Sequence, residues 1–277
     1  MTLLQAIVLG LAQGLTEFIP ISSTAHLRIV PALLGWGDPG AAASAVIQLG
    51  TLLAVLIYFA RDIAKITVAW VKGLVARKPF EAYDARLGWY IIAGSIPIGI
   101  VGFLFKDFIE TGARSLWIIA ASLIGLAIFL WIAERVAARS QLRVLADLTL
   151  PDAILIGLGQ CLALIPGSSR SGTTIMTGLF RRLTHEGAAR FSFLLSIPAI
   201  FASGLFELFA EWDHLAAVGW GPIALATLVS FVSGWLSIAF LLRYLRTHTT
   251  TVFIVYRIAL GAILVGLLLA GVLEPMG

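Results

Sequence analysis

The chain is organised as long apolar runs separated by short polar interruptions, not as helices with one apolar and one polar face. Runs at about 41–60, 86–105, 116–134, 190–210, 220–242 and 252–273 each approach the roughly 20 residues an α-helix needs to cross about 30 Å of hydrocarbon. Two further apolar regions, 3–34 and 150–181, are broken midway by Glu17-Phe18-Ile19-Pro20-Ile21-Ser22-Ser23 and by Pro166-Gly167-Ser168-Ser169-Arg170-Ser171-Gly172. Each predicts two half-helices joined by an irregular tip. A bilayer tolerates such a tip only where protein or a water-filled cavity surrounds the open backbone.

The two broken regions repeat each other. AIVLGLAQGLTEFIPISST at 6–24 aligns with AILIGLGQCLALIPGSSR at 153–170 once one gap is placed before the proline, which matches Gln13 with Gln160, Pro20 with Pro166 and Ser22-Ser23 with Ser168-Ser169. Each half then reads as one re-entrant broken-helix hairpin followed by three transmembrane helices. Because three is odd, the second half inserts upside-down relative to the first. The predicted fold is an all-α integral membrane protein: one membrane domain over 1–277, built as an inverted repeat with halves at about 1–140 and about 147–277, the hairpins meeting near the midplane.

Composition agrees. Of 277 residues, 60% are hydrophobic and only 12% charged, whereas a soluble protein carries about a quarter charged residues. A cytosolic fold, a disordered chain and a disulfide-stapled secreted module are excluded. Cys161 is the single cysteine, so neither an intramolecular disulfide nor a cysteine metal site can form.

The formal net charge is +4, but its bases are scattered between apolar runs, which fits orientation in a bilayer and not a nucleic-acid partner. Arg61, Lys65, Lys72, Arg77, Lys78, Arg86, Arg135, Arg139, Arg143, Arg181, Arg182, Arg190, Arg243 and Arg246 fall on one predicted side, against Lys106 and Arg114 on the other. The positive-inside rule puts the fourteen in the cytoplasm. The first hairpin then opens to the outside, the second to the cytoplasm, and the C-terminus lies outside. No Lys or Arg precedes Arg28, so a cleavable signal peptide is not expected and the start is expected to remain in the mature protein.

Ionisable groups at membrane depth are functional hypotheses by default. Arg28, Arg170 and Arg257 are bases in or beside membrane segments; the ionisable groups that matter here are Glu17, His26 and Arg170, with Gln13 one helical turn before Glu17 on the same face. At the first tip Pro20 stops one half-helix and Ser22-Ser23-Thr24 can cap the next, leaving backbone N–H groups and a positive dipole end for an anion. The second tip repeats this with glycine for close approach and Arg170 as a fork for phosphate oxygens. Helix capping alone explains any one serine; it does not explain an arginine set among them. The carboxylate can hold a divalent cation or act as a base. Ser23 is the candidate nucleophile, with Glu17 or His26 taking its proton, while direct attack by water stays open. No P-loop, HExxH, GxSxG or CxxC competes.

At these residues the chain resembles the undecaprenyl-diphosphate phosphatases, also called bacitracin-resistance proteins. The first family motif reads Gln13-Gly14-Leu15-Thr16-Glu17-Phe18-Ile19-Pro20-Ile21-Ser22-Ser23-Thr24-Ala25-His26; the second, PGxSRSG, reads Pro166 to Gly172, followed by Thr173 and Thr174. Gln13 stands where many members have Glu, and Ala25 replaces a usual glycine. The resemblance implies removal of the terminal phosphate from a C55 polyprenyl diphosphate in the bacterial inner membrane, with the active site opening to the periplasm. That reaction regenerates the lipid carrier of cell-wall synthesis and underlies bacitracin resistance. It also implies Glu17, Ser23, His26 and Arg170 as catalytic residues, and Gln13, Ser22, Thr24, Ser168, Ser169, Ser171, Gly172 and Thr174 as substrate-binding ones. Mg²⁺ or Ca²⁺ is the implied cofactor, held by Glu17 with Gln13. A lipid flippase or transporter is the competing class, since broken helices and inverted repeats are also a transporter plan; a channel is a weaker third reading. A homodimer is left open.

Overall fold

A computed structural model describes residues 1–37, 40–105 and 115–275. The chain forms α1 (Leu3–Glu17), α2 (Ser23–Leu33), α3 (Gly40–Tyr58), α4 (Ala60–Val75), α5 (Tyr83–Leu104), α6 (Leu116–Ala137), α7 (Leu150–Cys161), α8 (Arg170–Phe180), α9 (His185–Ala210), α10 (Trp212–Val218), α11 (Trp220–Tyr244) and α12 (Thr251–Leu269), with no strand among the described residues. Helices α5, α6, α9, α11 and α12 are long and apolar enough to cross a membrane. The protein is an all-α integral membrane protein.

The run at 41–60 differs from expectation. After α3 the axis bends by 74° into α4, where the sequence predicts only a basic connection. The cause is a change of pattern at Phe59-Ala60-Arg61-Asp62. From there Arg61, Lys65 and Lys72 are exposed while Ile66 is buried. A helix so divided meets both lipid and water only by lying along their interface.

Both half-helix pairs begin alike, with a threonine capping box: Thr2 with Gln5 at α1 and Thr149 with Asp152 at α7. Each first half-helix then packs against a span of the other half, α1 along α11 and α7 along α5. Glycine permits the approach. A Cβ on Gly14 would lie 2.0 Å from the Ser233 hydroxyl, and one on Gly157 would lie 2.2 Å from the Gly94 carbonyl, the small-residue contact by which membrane helices associate. Between these pairs α3 packs on α9 and α6 on α12.

Ion pairs gather the basic segments at one end of the bundle. Arg190 meets Asp62, Arg246 meets Glu186, and Arg143 and Arg181 both grip Asp152, which is fully buried. His185 and Thr250 likewise converge on Glu134. The contrasting Lys106 and Arg114 lie outside the described residues.

Candidate active site

The two tips are built the same way. α1 ends at Glu17, the chain passes Pro20, and Ser22 caps α2, its Oγ accepting from the Ala25 N–H at 3.3 Å. α7 runs into a short 3₁₀ turn, passes Pro166 and Gly167, and Ser169 caps α8, its Oγ accepting from the Gly172 N–H at 3.1 Å. Each cap hydroxyl also shares a hydrogen bond with the hydroxyl two residues on, Ser22 with Thr24 at 3.0 Å and Ser169 with Ser171 at 3.1 Å. The structure therefore pairs Ser22 with Ser169, and so Ser23 with Arg170. The sequence register is one residue off because the second tip carries an extra residue between proline and cap.

Both caps have positive φ, 77° at Ser22 and 69° at Ser169. For a non-glycine residue such a backbone costs about 1–3 kcal/mol and persists only where the surroundings enforce it. Here the tips enforce each other: Thr24 Oγ1 accepts from the Gly167 N–H at 3.2 Å, and Ser171 Oγ donates to the Ile19 carbonyl at 3.2 Å.

Glu17 is the hub, 4% exposed. Its Oε2 accepts from Gln13 Nε2 at 2.8 Å and from Ser23 Oγ at 2.5 Å. Its Oε1 accepts from Gln48 Nε2 at 2.8 Å and from Arg170 Nη2. The other terminal nitrogen of Arg170, Nη1, is buried with no hydrogen-bond partner among the described residues. Beside this group lies a cavity of about 250 Å³ whose walls include Gln13, Ser23, Thr24, Arg28, Gln48 and Glu207. That volume suits a small polar group.

Not every expected residue joins the hub. His26 Nδ1 lies 2.7 Å from the Ser22 carbonyl and Nε2 lies 2.6 Å from the Tyr256 hydroxyl, so a neutral ring donates to the tip backbone through Nδ1 and accepts from Tyr256. Among the described residues it makes no hydrogen bond with Ser23, and Glu17 is the base in reach of that hydroxyl. Thr174 spends its hydroxyl on the Arg170 carbonyl at 2.8 Å and on Ser192 at 2.6 Å. Ser168 is fully buried and its Oγ lacks a partner among the described residues.

Two residues are given no role by the sequence. Gln48 and Arg257 each stand as an isolated polar residue inside an apolar run, and that isolation is the signal that could have found them.

The residues present do not fit a resident divalent cation. Four donors fill the Glu17 carboxylate, one a guanidinium, and Gln13 brings a neutral amide, with its N–H on Glu17, where a second anionic ligand would stand. No cluster of three or more His, Cys, Asp or Glu occurs among the described residues.

Comparison with known proteins places the chain in a family. The model of the family described as bacitracin resistance protein BacA matches residues 6–263. The undecaprenyl-diphosphatase of Chlorobium phaeovibrioides is 56% identical over 282 residues, spanning 99% of this chain and 100% of its own. That of Chloroherpeton thalassium is 58% identical, spanning 99% of each chain; that of Myxococcus xanthus is 57% identical, spanning 100% of this chain and 92% of its own. With both tips in place and full-length similarity of this order, the chain belongs to the bacitracin resistance protein BacA family.

Proposed function

We propose that this protein is a membrane phosphatase that hydrolyses undecaprenyl diphosphate to undecaprenyl phosphate and inorganic phosphate, regenerating a lipid carrier for cell-wall synthesis. The observation that carries the reading is the Ser23 hydroxyl held 2.5 Å from a Glu17 carboxylate that is itself fixed by Arg170. A hydroxyl so placed is a nucleophile with its base already in contact.

Ser23 Oγ attacks the terminal phosphorus as its proton passes to Glu17. The anhydride P–O bond breaks, undecaprenyl phosphate departs, and phosphate is left on Ser23. Glu17 releases that proton to the departing phosphate or to solvent, takes another from the incoming water, and returns it to Ser23 Oγ as the phosphoserine bond breaks. Arg170 Nη1, unpartnered and buried, faces charge developing on the transferred phosphoryl group, where a preformed donor contributes most. The Mg²⁺ or Ca²⁺ dependence that the resemblance implies belongs, in this reading, to the substrate, the cation being carried on the diphosphate oxygens.

The matching caps, capping boxes and reciprocal tip contacts support reading the halves as inverted repeats of about 1–140 and 147–277. With the fourteen bases cytoplasmic, the first hairpin opens to the periplasm of a bacterial inner membrane. A cysteine placed at 216 or 217, both exposed, in a background lacking Cys161, is expected to react with an impermeant thiol reagent on intact spheroplasts. One placed at 77–81 is expected to be protected, and the reverse pattern overturns the orientation.

Activity itself is tested with purified protein in detergent, where no second compartment exists. Hydrolysis is expected to release inorganic phosphate there. A pure transporter releases none, so absence of phosphate from well-folded protein would favour the flippase class.

A further inference from the structure

Arg257 on α12 is 1% exposed, and every hydrogen bond it makes among the described residues runs to a backbone carbonyl. Nη1 donates to Pro20 at 3.3 Å and to Ser168 at 3.0 Å, Nη2 to Gly167 at 3.1 Å and to Ser122 at 3.2 Å, and Nε to Leu123 at 3.2 Å. One guanidinium therefore spans the first tip, the second tip and α6. Among the described residues no carboxylate pairs with it. Gly172 makes room, since a Cβ there would lie 3.1 Å from Nη1.

A buried cation without an acid is a costly way to hold three segments together, because carbonyl dipoles only partly replace its hydration. A neutral amide could bridge two of these carbonyls with less desolvation. The retained charge points to an anion that arrives beside the tips and completes the balance. The grip has a second effect. In a trans peptide the N–H points opposite to the C=O, so holding the Ser168 carbonyl turns the Ser169 N–H away from Arg257, where it has no hydrogen-bond partner among the described residues.

We propose that Arg257 is a positioning residue of the phosphatase reaction. It fixes the separation of the two tips, and thereby of Ser23 from Arg170, and its unpaired charge is matched by the diphosphate of the bound substrate. Arg257 touches no reacting atom; it acts through the tips. The proposal rests on the phosphatase reading, so unmodified protein must first release phosphate in detergent. If that control fails, the reading fails; if it works, the Arg257 variants test the positioning role alone.

Arg257→Ala and Arg257→Lys are purified, their folded fractions measured by gel filtration and thermal melting, and rates expressed per folded molecule. Loss of tip spacing is expected to lower kcat by at least about a hundredfold, the scale of a misplacement near 1 Å. KM of Arg257→Lys should stay within about threefold, because the charge that matches the diphosphate is kept, whereas KM of Arg257→Ala is expected to rise as well as kcat to fall. Adding guanidinium ion at non-denaturing concentration to Arg257→Ala is expected to recover about a tenth or more of the lost rate, since it refills the carbonyl ring with a charged planar donor; urea, similar in shape and neutral, is expected not to. Lys keeps the charge but cannot span five carbonyls, and its kcat is also expected to fall. Should the Ala variant fail to fold, the Lys variant is judged on its own kcat and KM criteria. A folded variant with near-normal kcat, a defect confined to KM, or rescue by urea equal to that by guanidinium would each overturn the assignment.

Discussion

Glu17→Gln is expected to lower kcat by about a hundredfold to ten-thousandfold, the range for removing a positioned general base, and to destabilise the protein at the same time. Four donors converge on the Glu17 carboxylate. An amide keeps the shape but offers one acceptor oxygen and turns an NH₂ toward either the Ser23 and Gln13 pair or the Arg170 and Gln48 pair. Donor then faces donor. Arg170 also loses its counter-charge at a site where breaking a buried pair costs about 3–5 kcal/mol. A lower melting temperature alone could therefore be mistaken for the cause of lost activity.

The double variant Glu17→Gln with Arg170→Gln separates the two effects. Removing both members of a buried ion pair is often close to neutral for stability, whereas removing one is not. The double variant is expected to recover much of the lost melting temperature and none of the lost rate. Recovery of both would show that Glu17 serves the fold and not the chemistry. Near-normal turnover in the single variant would end the assignment more directly.

Much of this arrangement is legible in the sequence, and what is not has identifiable causes. Apolar runs long enough to span report themselves because lipid imposes a length and a composition together. The tips do so because Pro, Gly and charge have no other reason to interrupt such runs. Gln48 is different: one amide in an apolar run does not say which helix it will face, and its meeting with Glu17 is purely tertiary. Arg257 was visible as a base in or beside a span, but its partners are carbonyls of Pro20, Ser122, Leu123, Gly167 and Ser168. Every residue has a carbonyl, so no side-chain pattern could mark them.

The register at the caps illustrates a subtler limit. In Ser22-Ser23-Thr24 any hydroxyl can cap, and propensity does not choose among them. The choice is made by a strained φ at Ser22 that only the opposing tip can hold. The bend at Phe59 was hidden for a related reason: α3 and α4 are both good helices, and the break lies in where each finds lipid or water.

Fixing the cap at Ser22 changes what a serine variant can decide. Ser23 is the first residue of α2 and its hydroxyl bonds Glu17, not the helix backbone, so Ser23→Ala leaves the capping interaction of about 1 kcal/mol intact. The protein is expected to insert and melt nearly as before while activity falls by about ten-thousandfold or more, the order seen when a covalent nucleophile is removed. Were Ser23 only a hydrogen-bond donor to phosphate, with water attacking directly, the loss would be nearer a hundred- to thousandfold. A chemical test is sharper than either number. Unmodified protein is mixed with substrate labelled in its terminal phosphate, quenched in acid during the first turnover, and the 20–28 peptide examined by mass spectrometry. Label is expected on Ser23 and not on Ser22 or Thr24, because Ser23 alone among the three touches Glu17. In Glu17→Gln the label should appear more slowly, since the same group draws the proton from Ser23. Repeated failure to trap phosphate, at quench times where product is demonstrably forming and with a standard phosphopeptide detected, would assign the attack to water and leave Ser23 as a donor in the cradle.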